Sequence, residues 1–173
     1  MVNITNHGQP DFSLMLWGAI WRGGRSEIIF MERDFESPKN GYSSNSYISA
    51  LEDGLLPHYT PGKFFQQDNA KIHVSAKTKT WFENHGIWVI DWPVHSPDMN
   101  PIEHVWKALK GILHRLHPEV HLLKKNQADI ELLKGWIREA WSLVPQSLID
   151  TLIDSMPRRV TALRRAKGWY TKY

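Results

Sequence analysis

Apolar residues follow two rhythms along this chain, and each change of rhythm marks an element. Residues 13–20 (SLMLWGAI) and 27–32 (EIIFME) are strand-length apolar runs joined by WRGGRS, where Gly23 and Gly24 can supply the positive φ of a hairpin turn. A Ser, Pro, Asn and Gly-rich loop follows over 34–44. Tyr47, Ile48, Leu51 and Leu55 then recur at helical spacing, which predicts a helix over 45–56 that ends near Pro57. After the Pro61–Gly62 turn, 63–67 reads as a short strand, 74–84 as a helix with Gly86 suited to its C-terminal stop, and 87–90 (IWVI) as a buried strand. Strand, helix, strand in that order predicts a parallel crossover.

Pro93, Pro97 and Pro101 extend the chain before the next helix, which Asn100 can cap, with Pro101 at its first position and Glu103 at its third. This helix runs to about His114. Ile102, Val105, Leu109 and Ile112 form its apolar stripe, while Glu103, Lys107, Lys110 and His114 share another face. Two further helices are predicted over 129–141 and 146–156, the second turning Leu148, Ile149, Leu152 and Ile153 inward. The chain carries no internal repeat and no low-complexity segment.

A length of 173 residues fits one domain with a substantial core. Composition adds one oddity, nine Trp, which points to a large core and aromatic grooves without specifying a chemistry. The net charge of +3 and pI near 9.1 permit a polyanionic partner. Arg158, Arg159, Arg164, Arg165, Lys167 and Lys172 crowd the C-terminal end, the better place for phosphate contacts, although a solvated end reads the same way. Without cysteine there is no disulfide framework and no thiolate zinc site, and an intracellular compartment is the simpler expectation. The first residues lack the regions of a signal peptide, and no apolar run reaches the ~18 residues of a membrane span.

The candidate chemistry lies in two carboxylates, Asp68 after a strand and Glu103 in the first turn of a helix, with 34 residues between them. Phosphodiester chemistry with two Mg²⁺ ions needs carboxylates from separate elements converging on one point, because each ion is hard, octahedral and held by few protein ligands. Local explanations compete. Asp68 could form an Asx turn or cap the following helix. Glu103 could close a capping box with Asn100 or pair with Lys107. Asp91 and Asp98 flank the same loop, and turn chemistry accounts for Asp98. His73, His85, His95 and His104 lack zinc-ligand spacing and read as loop and surface residues, with His73 and His104 the two best placed to line a site, since each lies near a candidate carboxylate.

The segments WGAIWRGG, GYSSNSYISALED, QQDNAKIH, WPVHSPDMNPIEHVWKALK and KGWYTKY together resemble, in order, the catalytic domain of mariner-type transposases of the DDE superfamily, from about Phe12 to the end of the chain. The resemblance implies an α/β, ribonuclease H-like fold: a mixed sheet with helices on both faces. It implies Mg²⁺ or Mn²⁺ as cofactor, with Asp68 as the second Asp and Glu103 as the Glu of the metal-binding triad. It implies metal-dependent cleavage and strand transfer on DNA, both transposon ends and target, by paired protomers in the nucleus, with no membrane. Lys107, Lys110, Arg158, Arg159, Arg164 and Arg165 are the candidates for DNA contact.

In that family the first Asp lies on a central strand upstream of the hairpin. Here twelve residues precede Ser13, and Asp11 fits the approach to the second strand. The expectation is therefore a domain lacking its first, central strand, its first catalytic Asp and the N-terminal DNA-recognition region. The competing reading is a catalytically inactive, transposon-derived module that binds DNA or protein.

Overall fold

The structure is a computed structural model that describes residues 2–6, 9–92 and 99–165. Its first strands are β1 (Val2–Asn6), β2 (Gln9–Trp17), β3 (Ile20–Trp21), β4 (Gly24–Arg25) and β5 (Ile29–Phe30). The predicted hairpin forms in two steps. β2 pairs antiparallel with β5, Leu16 opposite Phe30 and Trp17 opposite Ile29, and inside it β3 and β4 pair across a turn where Gly23 takes φ +82°. Gly24 is needed for a different reason, since a Cβ there would lie 2.3 Å from the Trp21 ring.

The N-terminal part departs from expectation. β2 begins at Gln9, so the backbone of Asp11 lies within the strand, and β1 adds a further antiparallel strand along the edge of β2 away from β5. Val2 to Thr5 pair with the apolar run itself, from Leu16 back to Ser13, and past an irregularity in the register the strand reaches back beyond that run to Gln9, opposite Asn6.

Helix α1 (Ser44–Gly54) starts at a capping box, with the Ser43 side chain accepting from the helix start and Ser46 returning the bond. A 3₁₀ turn (Leu56–His58) leads to β6 (Phe64–Phe65); α2 (Ala76–Asn84), capped by Ser75, then crosses to β7 (Trp88–Val89). The predicted crossover is present: β6 and β7 run parallel, with Phe64 opposite Trp88 and Phe65 opposite Val89. The chain turns out of α2 at Gly86, φ +63°. After Asn100 come α3 (Pro101–Leu116), a 3₁₀ turn (Pro118–Leu122), α4 (Gln127–Ser142), α5 (Gln146–Asp154) and α6 (Met156–Arg165). The helix predicted to stop at 156 is instead followed by a second one, because Ser155 caps α5 and Pro157 suits a helix start.

Strand β2 organises the packing. Leu14 and Leu16 face a core built with Val105, Trp106 and Leu109 of α3 and with Ile137, Trp141 and Ile149 of α4 and α5. Met15 and Trp17 face a second core with Tyr47 and Leu51 of α1 and with Trp81 and Phe82 of α2. The alternation of a strand thus buries both sheet faces under helices. Leu148 and Ile153 are half-buried, whereas Ile149 and Leu152 are fully inside.

Candidate functional site

The runs Trp17 to Arg22 and Lys63 to Asp68 line a cavity of about 560 Å³, together with Tyr47, His73 and the start of α3 at Asn100, Pro101 and Ile102. Asp68 lies three residues beyond β6, where the chain turns. It does form the Asx turn that its sequence allows, its Oδ1 accepting from the Ala70 amide at 3.1 Å, while Ser75 and not Asp68 caps α2.

His73 contributes more than its sequence suggested. It is buried (3% exposed) rather than on the surface, and its Nδ1 lies 2.6 Å from Asp68 Oδ1. Its ring rests on that of Tyr47, centroids 4.1 Å apart. The Tyr47 hydroxyl donates to Gln67 Oε1 at 2.5 Å, and the Gln67 amide donates to the His73 carbonyl at 3.3 Å. Burial pushes the Tyr47 phenol up, so it stays a donor. The His73 hydrogen bond, helped by the Ala70 amide and opposed by burial, lowers the Asp68 carboxyl to about 2, so it is ionised at neutral pH. Asp68 remains half-exposed toward the cavity.

The second candidate stands on α3. The capping box is not formed: Asn100 makes no side-chain cap bond, and its Oδ1 accepts instead from the Gln66 amide at 3.3 Å. That bond ties the chain two residues before Asp68 to the helix start three residues before Glu103. Glu103 is half-buried, and its carboxylate has neither Lys107 nor any other hydrogen-bond or ionic partner among the described residues. Asp68 lines the cavity and Glu103 lies beside its wall, one residue past the lining Ile102. Asp91 is exposed, while His95 and Asp98 lie outside the described residues. Among the described residues no group of three His, Cys, Asp or Glu converges as a cation cage.

Of the basic candidates, Lys107, Arg158, Arg164 and Arg165 are exposed and Lys110 is half-buried. Arg159 faces inward, 3% exposed, with its Nε on Ser155 Oγ at 2.8 Å and a guanidinium nitrogen 3.3 Å from His104 Nε2. It ties α6 to the helix that carries Glu103. An Arg-Arg pair at the start of a helix must split between faces, one turn's geometry placing the second inward.

Residues 12–124, which include both carboxylates and His73, match the model of the DDE superfamily endonucleases. The chain belongs to that family. The DDE chain is 33% identical over 162 residues to the Transposable element Tc1 transposase of Caenorhabditis elegans, covering 93% of this chain and 55% of the relative. Against the Transposable element Tc3 transposase of the same species it is 36% identical over 160 residues, 90% of this chain and 44% of the relative. It thus spans about half the length of these relatives. Its fold matches a chain in the crystal structure of the Mos1 Strand Transfer Complex with a TM-score of 0.61 at 17% identity, over 99% of this chain and 51% of that one. At that identity the match shows a shared fold.

Proposed function

We propose that the chain is part of the catalytic domain of a DDE transposase, incomplete by itself for want of the triad's first Asp, serving metal-dependent DNA cleavage at transposon ends and transfer of those ends to a target. The observation that carries this is Asp68, an ionised, half-exposed carboxylate lining a cavity whose wall is pinned by Gln66 and Asn100 to the helix bearing Glu103, a carboxylate with no partner among the described residues. Two hard oxygen donors from separate elements suit Mg²⁺ or Mn²⁺ better than a softer ion. Such ions activate a water or 3′-hydroxyl and neutralise charge on the leaving oxygen. Asp68 and Glu103 would hold them, with water and the substrate's phosphate completing the shell. Pairing two DNA ends calls for two copies of the chain, and chromosomal DNA as substrate calls for the nucleus.

A second reading, a non-catalytic module that binds DNA or protein, draws support from the lack of a three-donor cluster among the described residues. Thermal unfolding of the purified chain with increasing Mn²⁺, beside Asp68→Ala and Glu103→Ala, separates the two. The catalytic reading expects a melting temperature that rises with Mn²⁺ in the native chain and in neither variant. A native chain whose unfolding ignores Mn²⁺, yet which binds DNA with unchanged affinity after both substitutions, sinks it in favour of the module.

A further inference from the structure

We propose that His73 is a positioning residue for Asp68, holding Oδ1 inward so that Oδ2 is the oxygen offered to a cation. This deepens the metal reading above and rests on it for its purpose. The inference stands on how Oδ1 is occupied. It accepts from the Ala70 amide at 3.1 Å and lies 2.6 Å from His73 Nδ1, which fills its two lone-pair directions. Oδ2 is left without a protein partner among the described residues, on a side chain half open to the cavity.

An exposed Asp in an Asx turn keeps freedom about its side-chain torsions; a second donor fixed in space removes it. The His73 donor is fixed. The turn that bonds the His73 amide to the Ala70 carbonyl at 2.8 Å folds residue 73 back onto residue 68. The ring is clamped against Tyr47, and Gln67 holds the His73 carbonyl. The bond to Oδ1 requires the proton on Nδ1, and Nε2 is buried with no partner among the described residues, where the ring's polar contacts all run through Nδ1 to Asp68, at its Oδ1 and at its carbonyl 3.3 Å away. A buried imidazole whose other nitrogen has no partner among the described residues is suited to orienting one neighbour.

Three variants of the whole chain test this. His73→Phe keeps a ring on Tyr47 and loses the donor. His73→Gln keeps an amide but places it near the Nε2 position. His73→Asn places a donor near the Nδ1 position. Two readouts serve: Asp68 χ1 populations in the metal-free protein, from three-bond NMR couplings, and Mn²⁺ affinity by electron paramagnetic resonance. We expect one Asp68 rotamer in the native chain and in His73→Asn, with similar Mn²⁺ affinity. The Phe and Gln variants should show averaged rotamers and Mn²⁺ binding weaker by about tenfold. If His73→Phe does not fold, the Gln and Asn variants decide the matter. A locked Asp68 with native Mn²⁺ affinity in the Phe or the Gln variant overturns the proposal, and so does an Asn variant that restores neither property. A native chain that binds no Mn²⁺ overturns the metal reading instead, and the metal-free rotamers then decide the positioning role alone.

Discussion

Asp68 and Glu103 have the same charge and the same proposed task, but opposite ties to the fold. Asp68 satisfies a backbone amide and a buried imidazole, whereas Glu103 has no partner among the described residues. Asp68→Ala leaves the buried His73 Nδ1–H only the more distant main-chain carbonyl of residue 68, 3.3 Å away, and should cost ~1–3 kcal/mol at neutral pH. Glu103→Ala loses only a first-turn carboxylate near a helix N-terminus, under ~1 kcal/mol. Urea denaturation compares the two, and equal losses would mean that the Asp68 contacts carry no stability. The pH dependence has a definite sign. Asp68 is lowered from 3.8 to about 2 on folding, so its contribution is whole above about pH 4 and is lost as pH falls through about 2. The gap between native and Asp68→Ala midpoints should therefore narrow over that window. The sequence showed both carboxylates, but not this difference, since the partner of Asp68 is a histidine packed on Tyr47, 26 residues upstream in α1. Spacing alone marked His73 as near a carboxylate; its inward turn came from tertiary packing.

Among the elements, those with a strong local signal were legible and those fixed by partners were not. The parallel crossover, α1 and α3 follow from apolar period and from Pro and Gly punctuation. β1 has no such signal and exists by pairing with β2, and α6 has a polar sequence whose helix shows in its basic last turn rather than in an apolar stripe. The Glu103 capping box was a fair local reading that lost to a tertiary bond, because Gln66 takes the Asn100 oxygen. One close approach sets how α1 lies on the sheet. Gly54, in its last turn, is buried, and a Cβ there would sit 2.3 Å from the Trp17 ring and 3.0 Å from Ile29. Gly54→Ala should destabilise by ~1–3 kcal/mol despite alanine's better helix propensity, since the Trp17 indole is packed and cannot yield. A melting temperature unchanged or raised by that substitution would show that α1 can ride outward without cost.

Across the whole molecule, the chain's basic excess is sorted by the same packing that builds its two cores. Leu16 and Trp17 send β2 into both cores at once, so α3, α4 and α5 cover one face and α1 and α2 the other. The C-terminal helix α6 then closes against the first group through Arg159, which is bonded to Ser155 and lies beside His104, while Arg158, Arg164 and Arg165 stay in solvent. Sequence could not separate these four arginines, yet only the exposed ones can meet phosphate without unfolding something. DNA affinity of the chain, followed by fluorescence anisotropy over a range of salt, should fall linearly in log–log form. Replacing Arg164 and Arg165 with Gln should flatten that slope by ~0.9 for each phosphate no longer neutralised and leave the melting temperature in place. Arg159→Gln should do the reverse, lowering the melting temperature and leaving the slope of the folded protein unchanged, because a buried guanidinium releases no counterion on binding. A flattened slope for Arg159→Gln at full stability would mean that α6 turns its inner face outward to meet DNA, and that its packing on α3 beside Glu103 is exchanged for the substrate.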